Sequence, residues 1–298
     1  MEVGGVSLHR VEWLPQGQTQ AVAVLVHGQG DCAERHAITV APLVERGIAC
    51  CAFDWPGHGR SPGRRGVVPG FAFLSEALGQ LARESRERLG APVRGWLAHS
   101  AGGLVLVHHL AASRTTPEFL WLNAPLVDPG AGRSRIIVAL GRAAAWIVPK
   151  FRISTGVEPS DCWVDGDAGE PTDGQKDDPT GNAEAEPAGE KTGEIHSGFG
   201  HRWISLGWAG EMFRMAESLP EATRRLSAQT KLLFTQGLAD PVCPPEIGRK
   251  FFESLPMENK RWVGIDGARH ECFADQFAPR LRHEVARWLE NGESGREK

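Results

Sequence analysis

The stretch Trp96-Leu97-Ala98-His99-Ser100-Ala101-Gly102-Gly103 constrains this chain more than any other. Val93 to Ala98 reads as a short buried strand, and Gly102 to Leu110 as the start of an apolar helix. One serine stands between them. A strand that turns into a helix at a single residue leaves little room, so the turn needs small neighbours. Such a turn holds a serine hydroxyl above the sheet in a strained conformation. It also aims the next N–H, that of Ala101, at any oxyanion formed there. The pattern is G-x-S-x-G with Ala98 in the place of the first glycine, a difference of one methyl. The other reading of Ser100 is a plain cap on a core helix. The rest of the chain decides between the two.

Ala21 to Val26 and Ile48 to Phe53 are continuous apolar runs, the mark of strands buried on both faces of a parallel sheet. Phe119 to Leu122, Lys231 to Thr235 and Arg261 to Ile265 read as further strands, and Val3 to Trp13 as one or two short edge strands. Helices are expected at Glu34 to Arg46, Gly70 to Leu89, Pro245 to Leu255 and Gln276 to Glu290. Strands that alternate with helices in this way predict an α/β fold with a doubly wound, mostly parallel sheet.

The alternation breaks from about Leu126 to Ser218, where no buried strand is expected. Arg135 to Pro149 reads as a helix flanked by Arg133, Lys150 and Arg152, and His201 to Met215 as another. Between them, residues 164–193 hold nine Asp/Glu and two Lys, a net of -7 in a chain whose formal net charge is -4. That tract has too few bulky apolar residues to offset the entropy of ordering it, and it reads as a disordered loop. The predicted organisation is a core of residues 1–125 and 219–298 with an inserted helical cap at 126–218.

The negative net charge argues against nucleic acid as a partner. The six cysteines form no C-x-x-C pair and read as buried, reduced thiols, so neither a metal site nor a cofactor is expected. Met1-Glu2-Val3-Gly4-Gly5 offers no secretion signal, and the expectation is a cytoplasmic protein.

Three residues then fall into one scheme. Ser100, Asp240 and His270 each follow a predicted strand, in that chain order. Ligands of doubly wound sheets sit at the carboxyl ends of the strands, so the topology gathers all three. A serine hydroxyl needs a base, an imidazole can serve as one, and a carboxylate can fix its tautomer. Asp266, four residues before His270, competes for the acid's place but shares its loop. The loop His27-Gly28-Gln29-Gly30 is placed to supply a second oxyanion donor, the Gln29 N–H, beside that of Ala101. Since that donor is a backbone group, the Gln29 side chain looks dispensable. His99, His27, Asp54 and His58 read as packing residues.

His27-Gly28-Gln29-Gly30, Phe53-Asp54-Trp55-Pro56-Gly57-His58-Gly59-Arg60-Ser61 and His99-Ser100-Ala101-Gly102-Gly103 resemble the monoglyceride lipase and lysophospholipase branch of the α/β-hydrolases. Asn123-Ala124-Pro125, Gly237-Leu238-Ala239-Asp240-Pro241-Val242 and Gly267-Ala268-Arg269-His270-Glu271 extend the resemblance to about residues 20–290, the acidic tract excepted. It implies an α/β-hydrolase fold and a serine ester hydrolase, with a cap over an apolar acyl channel. Ile137, Trp146, Trp203 and Trp208 are candidate channel residues. A monoacylglycerol or lysophospholipid is the implied lipid-like substrate. The alternatives are a small-molecule carboxylesterase, an acyltransferase, or a catalytically silent ligand binder. The basic flanks of the first cap helix add an expectation of peripheral docking on anionic membrane.

Overall fold

The computed structural model describes residues 1–162, 200–273 and 276–290. The acidic tract at 164–193 lies outside them. The chain opens with a small hairpin, β1 (Glu2–Val3) and β2 (Val6–Ser7), and continues into the edge strand β3 (Arg10–Trp13). Then follow β4 (Ala21–Val26), a 3-10 turn (Ala33–His36), α1 (Ala37–Val44), β5 (Ile48–Phe53), α2 (Phe71–Leu89), β6 (Val93–His99), α3 (Ala101–Ser113) and β7 (Phe119–Asn123). The inserted segment carries α4 (Arg135–Ile147), β8 (Arg152–Ser154), α5 (Pro159–Cys162), β9 (Trp203–Ser205) and α6 (Leu206–Thr223). The alternation resumes with β10 (Lys231–Gly237), α7 (Pro245–Ser254), β11 (Lys260–Ile265) and α8 (Ala278–Glu290).

The main sheet runs β11-β10-β7-β6-β4-β5-β3 and is parallel except for β3 against β5. Its inner strands β4, β5, β6, β7 and β10 are buried on both faces, and alternate residues feed two cores. Val22, Val24, Val26, Trp96, Ala98, Leu120, Leu122 and Phe234 face α2, α3, α6 and α7. Ala23, Leu25, Leu97, Trp121, Leu233 and Ile265 face α1 and α8, whose Leu43, Leu281, Val285 and Trp288 close that side. Valine-rich strands with no polar alternation follow directly from this two-sided burial.

The strand order places a switch point beside Ser100. From β4 the chain crosses to β5, on one side; from β6 it crosses to β7, on the other. Neighbouring strands whose exits diverge leave a crevice at their carboxyl ends, where α/β sheets hold their ligands. Here the Gly28 loop and Ser100 stand side by side at those ends.

The inserted segment departs from the expectation of helices alone. β8 and β9 pair antiparallel, Arg152 with Ser205 and Ser154 with Trp203. The expected helix from His201 to Met215 therefore begins later, at Leu206, and runs on to Thr223. Ser205 caps it, its hydroxyl accepting from the Trp208 N–H at 3.4 Å. Trp208, Met212, Met215 and Leu219 of α6 sit in the main core with α3, so this part of the insertion is packed as core. α4 lies on α6 and is exposed along most of its length. No described helix is long and apolar enough to cross a membrane.

Candidate active site

Ser100 sits between β6 and α3 at φ 51 and ψ -126, a conformation few L-residues adopt. Backbone bonds hold it there. Its N–H donates to Asn123 O at 3.1 Å, and its carbonyl accepts from Gly103 at 2.9 Å and Leu126 at 2.8 Å. Strain of this size persists only where the surroundings over-determine it. Close approach explains two glycines. A Cβ on Gly28 would meet the Ser100 Cβ at 2.9 Å, and one on Gly102 would meet Val26 O at 2.3 Å. Ala98, in the position of the missing glycine, is one residue further from the turn and buries its methyl in the main core.

The structure brings the three strand-end residues together. His270 Nε2 is 2.9 Å from Ser100 Oγ, and His270 Nδ1 is 2.9 Å from Asp240 Oδ2. All three side chains are buried. Asp266, the competing carboxylate, is exposed. Asp240 is held by its own loop, its Oδ1 accepting from the N–H groups of Val242 at 2.8 Å and Cys243 at 2.9 Å. Gln236 Nε2 donates to Asp240 Oδ2 at 2.9 Å, sharing that oxygen with His270. Burial opposes charging His270, but the adjoining Asp240 carboxylate outweighs it and raises the imidazole pKa well above the ordinary 6.5. His99 backs the ring at 4.8 Å between centroids and rests its Nδ1 3.2 Å from Asn123 O. Burial, with His270 close by, keeps His99 neutral, its pKa well below the ordinary value.

The loop after β4 completes the arrangement. The Ala101 N–H is the first of α3, a position without an intrahelical partner. Gln29 stands across the crevice, and its side chain is engaged at both ends. Its Nε2 donates to Trp203 O at 2.8 Å, and its Oε1 accepts from Trp208 Nε1 at 2.9 Å. The carboxamide thus ties the loop after β4 to the inserted segment. The same segment is tied to the histidine loop, where the N–H of Glu271 donates to Cys162 O at 2.8 Å.

The four expected channel residues part company. Trp208 is buried, with its ring edge-on to Trp55 at 5.8 Å. Trp203 is half-buried under the Arg152 guanidinium. Ile137 and Trp146 stand outside, 66 % and 82 % exposed, and here form outer surface rather than channel wall.

Two neighbours of the triad gave no sequence signal. Gln236 lies inside a strand and looks like any polar core residue. Cys243 reads as a buried thiol, yet it lies beside Ser100 and His270. Among the described residues, Asp240, Cys243 and His270 are the group whose metal-ligating atoms cluster, all within 4.8 Å. Burial raises the Cys243 pKa, which keeps it a thiol. Asp240 and His270 already spend those atoms on each other, on Ser100 and on the loop, so the group suits proton transfer better than metal binding. His27, Asp54 and His58 hold loops: Asp54 accepts from the N–H groups of Ala33 at 2.7 Å and Arg60 at 2.8 Å, and His27 Nε2 accepts from Trp55 N at 3.0 Å.

A hydroxyl, an imidazole and a carboxylate in series, facing a helix N-terminus, can run acyl transfer. Comparison with known proteins identifies the family. The family model described as serine aminopeptidase, S33, matches residues 17–276. The monoglyceride lipase of Homo sapiens is 31 % identical over 284 residues, which cover 93 % of this chain and 84 % of that protein. An uncharacterized abhydrolase domain-containing protein of Dictyostelium discoideum is 23 % identical over 288 residues; the match covers 95 % of this chain but only 28 % of that much longer protein. The crystal structure of Paleococcus ferrophilus monoacylglycerol lipase superposes with a TM-score of 0.76 at 24 % identity, over 95 % of this chain and 98 % of that one. The chain thus belongs to the serine aminopeptidase S33 family, among the monoglyceride-lipase-like α/β-hydrolases of esterase and lipase type.

Proposed function

We propose that the protein cleaves carboxylic esters through an acyl-enzyme on Ser100, and that its substrate is a monoacylglycerol or lysophospholipid. The observation that carries this reading is the relay from Ser100 through His270 to Asp240, 2.9 Å at each step, on a residue held at φ 51. His270 takes the serine proton as Oγ attacks the ester carbonyl. Asp240 stabilises the imidazolium, and the N–H groups of Ala101 and Gln29 receive the oxyanion. His270 then protonates the leaving alcohol, and water repeats the sequence to free the acid. No metal or cofactor enters.

The monoglyceride lipase relatives favour the lipid ester, with residues 126–218 as a cap over its acyl chain. The outer surface of α4 adds a second element. Ile136, Ile137, Leu140, Trp146 and Ile147 are each more than 60 % exposed, and Phe151 is 59 % exposed. Arg133 and Lys150 stand exposed at its ends. An apolar stripe with basic flanks fits the headgroup region of an anionic bilayer, where aggregated lipid esters are found. The protein then works peripherally, from the aqueous side.

Release of fatty acid from monoacylglycerol, lysophospholipid and short-chain glycerol esters, measured with Ser100→Ala alongside, tests the proposal. The expected result is Ser100-dependent release that is fastest on a lipid ester. Turnover confined to acetyl and butyryl esters indicates a small-ester hydrolase. Transfer of the acyl group to an added alcohol, with little free acid, indicates an acyltransferase.

A further inference from the structure

The Gln29 carboxamide does more than its place in the sequence suggests. It belongs to the six-residue loop, His27 to Cys32, that leaves β4 next to Ser100. Its backbone carries the N–H assigned above to the oxyanion. Its side chain leaves the loop and reaches the segment around β9, more than 170 residues away in sequence. Both ends of the amide are used there. The Nε2 donates to a backbone carbonyl, Trp203 O, and the Oε1 accepts from an indole, Trp208 Nε1. Neither contact is replaceable by an apolar residue of the same shape, and a carboxylate could make only the second.

The neighbouring bonds run in parallel. The His201 N–H donates to Gly30 O at 2.9 Å, one residue beyond Gln29. Gly30 has φ 77, and a Cβ there would meet His201 O at 2.1 Å, so loop and hairpin touch backbone to backbone. Trp208 is itself fixed, buried at the start of α6 with its ring against Trp55. Gly28, on the other side of Gln29, is pressed against the Ser100 Cβ. Gln29 is therefore fixed from two sides, by the nucleophile turn and by the β9 hairpin.

We infer that Gln29 is a positioning residue, whose side chain aims the oxyanion donor through its bonds to the packed β9–α6 segment. Bonded to the β9–α6 segment, the carboxamide holds the loop with its N–H facing the oxyanion position. Without the carboxamide the loop loses two of the bonds that aim that N–H, and the transition state loses part of its stabilisation. The inference rests on the proposed acyl-transfer reading, because it assigns a further role to that same site.

Its signature is a loss in kcat with little change in KM. An oxyanion is stabilised only after attack, so a misaimed donor leaves substrate binding almost untouched. Removing a donor outright costs about 10²–10³ in kcat, and misaiming one should cost less, about 10-fold to 100-fold.

The experiment compares Gln29→Met, which keeps the length and removes both bonds, with Trp208→Phe, which removes one bond from the cap side. The double variant and Ser100→Ala complete the set. The substrate is p-nitrophenyl octanoate, and a trifluoromethyl ketone of the same chain length serves as a tetrahedral mimic. The expected result is a kcat loss of about 10-fold or more in Gln29→Met, with KM within about threefold. Affinity for the ketone should fall by the same factor as kcat/KM. Trp208→Phe should lose kcat by a smaller factor, and the double variant should be no worse than Gln29→Met, because both act through one bond.

A kcat within twofold of the parent in Gln29→Met overturns the inference while leaving the active-site reading intact. So does a loss confined to KM, which would make Gln29 a wall of the binding site, and so does full additivity in the double variant. Unchanged turnover in Ser100→Ala would overturn the active-site reading itself, and the inference with it.

Discussion

The His270 imidazole sets the pH dependence expected of the site. As a base it must be neutral before attack, and Asp240 raises its pKa well above 6.5. A raised pKa keeps the ring protonated to higher pH, so the acid limb of kcat/KM should lie above pH 6.5. Asp240→Asn removes the charge that raises it. The limb should then move to lower pH, while kcat falls by about 10⁴; rate profiles of both proteins check this. Ala98 gives a second test at this scale. Its methyl is buried in the main core, so Ala98→Gly loses about 0.8 kcal/mol of burial. Glycine adds about 0.5–1 kcal/mol of chain entropy. Thermal unfolding should fall by several degrees with kcat within twofold, because the alanine stabilises the strand and lies outside the turn. A gain in kcat would mean that the methyl distorts the turn. Ser100, Asp240 and His270 were legible from sequence because each follows a strand and the sheet gathers strand ends. Gln236, Cys243 and the Gln29 carboxamide were not, because their roles depend on partners that no local pattern reveals.

At the scale of elements, the long strands and helices of the core could be read from apolar runs and helical periodicity. The β8–β9 pair could not. Each strand has three residues, too few for an alternating pattern, and a charged tract separates them in sequence. The junction they form with the core carries its own prediction. His201 Nε2 donates to Gly57 O at 3.0 Å, and its ring lies 4.5 Å from that of His58. Burial, with Arg65 nearby, lowers the His201 pKa to about 3 from an ordinary 6.5, and burial also drives His58 well below that value. Between those limits the unfolded chain binds more protons than the native one. The stability this contributes is complete above pH 6.5 and is lost as pH falls toward 3. Thermal midpoints should therefore drop between pH 7 and pH 4, and His201→Gln, which keeps an N–H for Gly57 without the titration, should show a shallower drop. The exposed face of α4 makes a separate prediction. Trp146→Ser with Ile147→Ser should weaken binding to anionic vesicles about 10-fold or more, from the loss of apolar surface at about 0.8 kcal/mol per buried CH₂. Sedimentation with vesicles reads this, and activity on a dissolved short ester should stay unchanged.

For the whole molecule, the order of the strands explains why one crevice holds the chemistry. β4 and β6 are neighbours whose chains depart to opposite sides, so the Gly28 loop and Ser100 face each other without a purpose-built domain. β7, β10 and β11 extend the same edge, which brings Asp240 and His270 to it. That much follows from alternation and strand order. How the insertion meets the core was not legible. α6 is half of a cap by sequence position, yet it packs as a core helix, with Trp208, Met212 and Met215 buried against α3. The reaction proposed for Ser100 is covalent. Rapid quenching of the protein with p-nitrophenyl laurate, followed by peptide mass spectrometry, tests it most directly. The expected result is a lauroyl ester on the peptide that carries Ser100, formed during a burst of p-nitrophenol and absent in Ser100→Ala. Steady turnover with no adduct, or with an adduct on another residue, would contradict it.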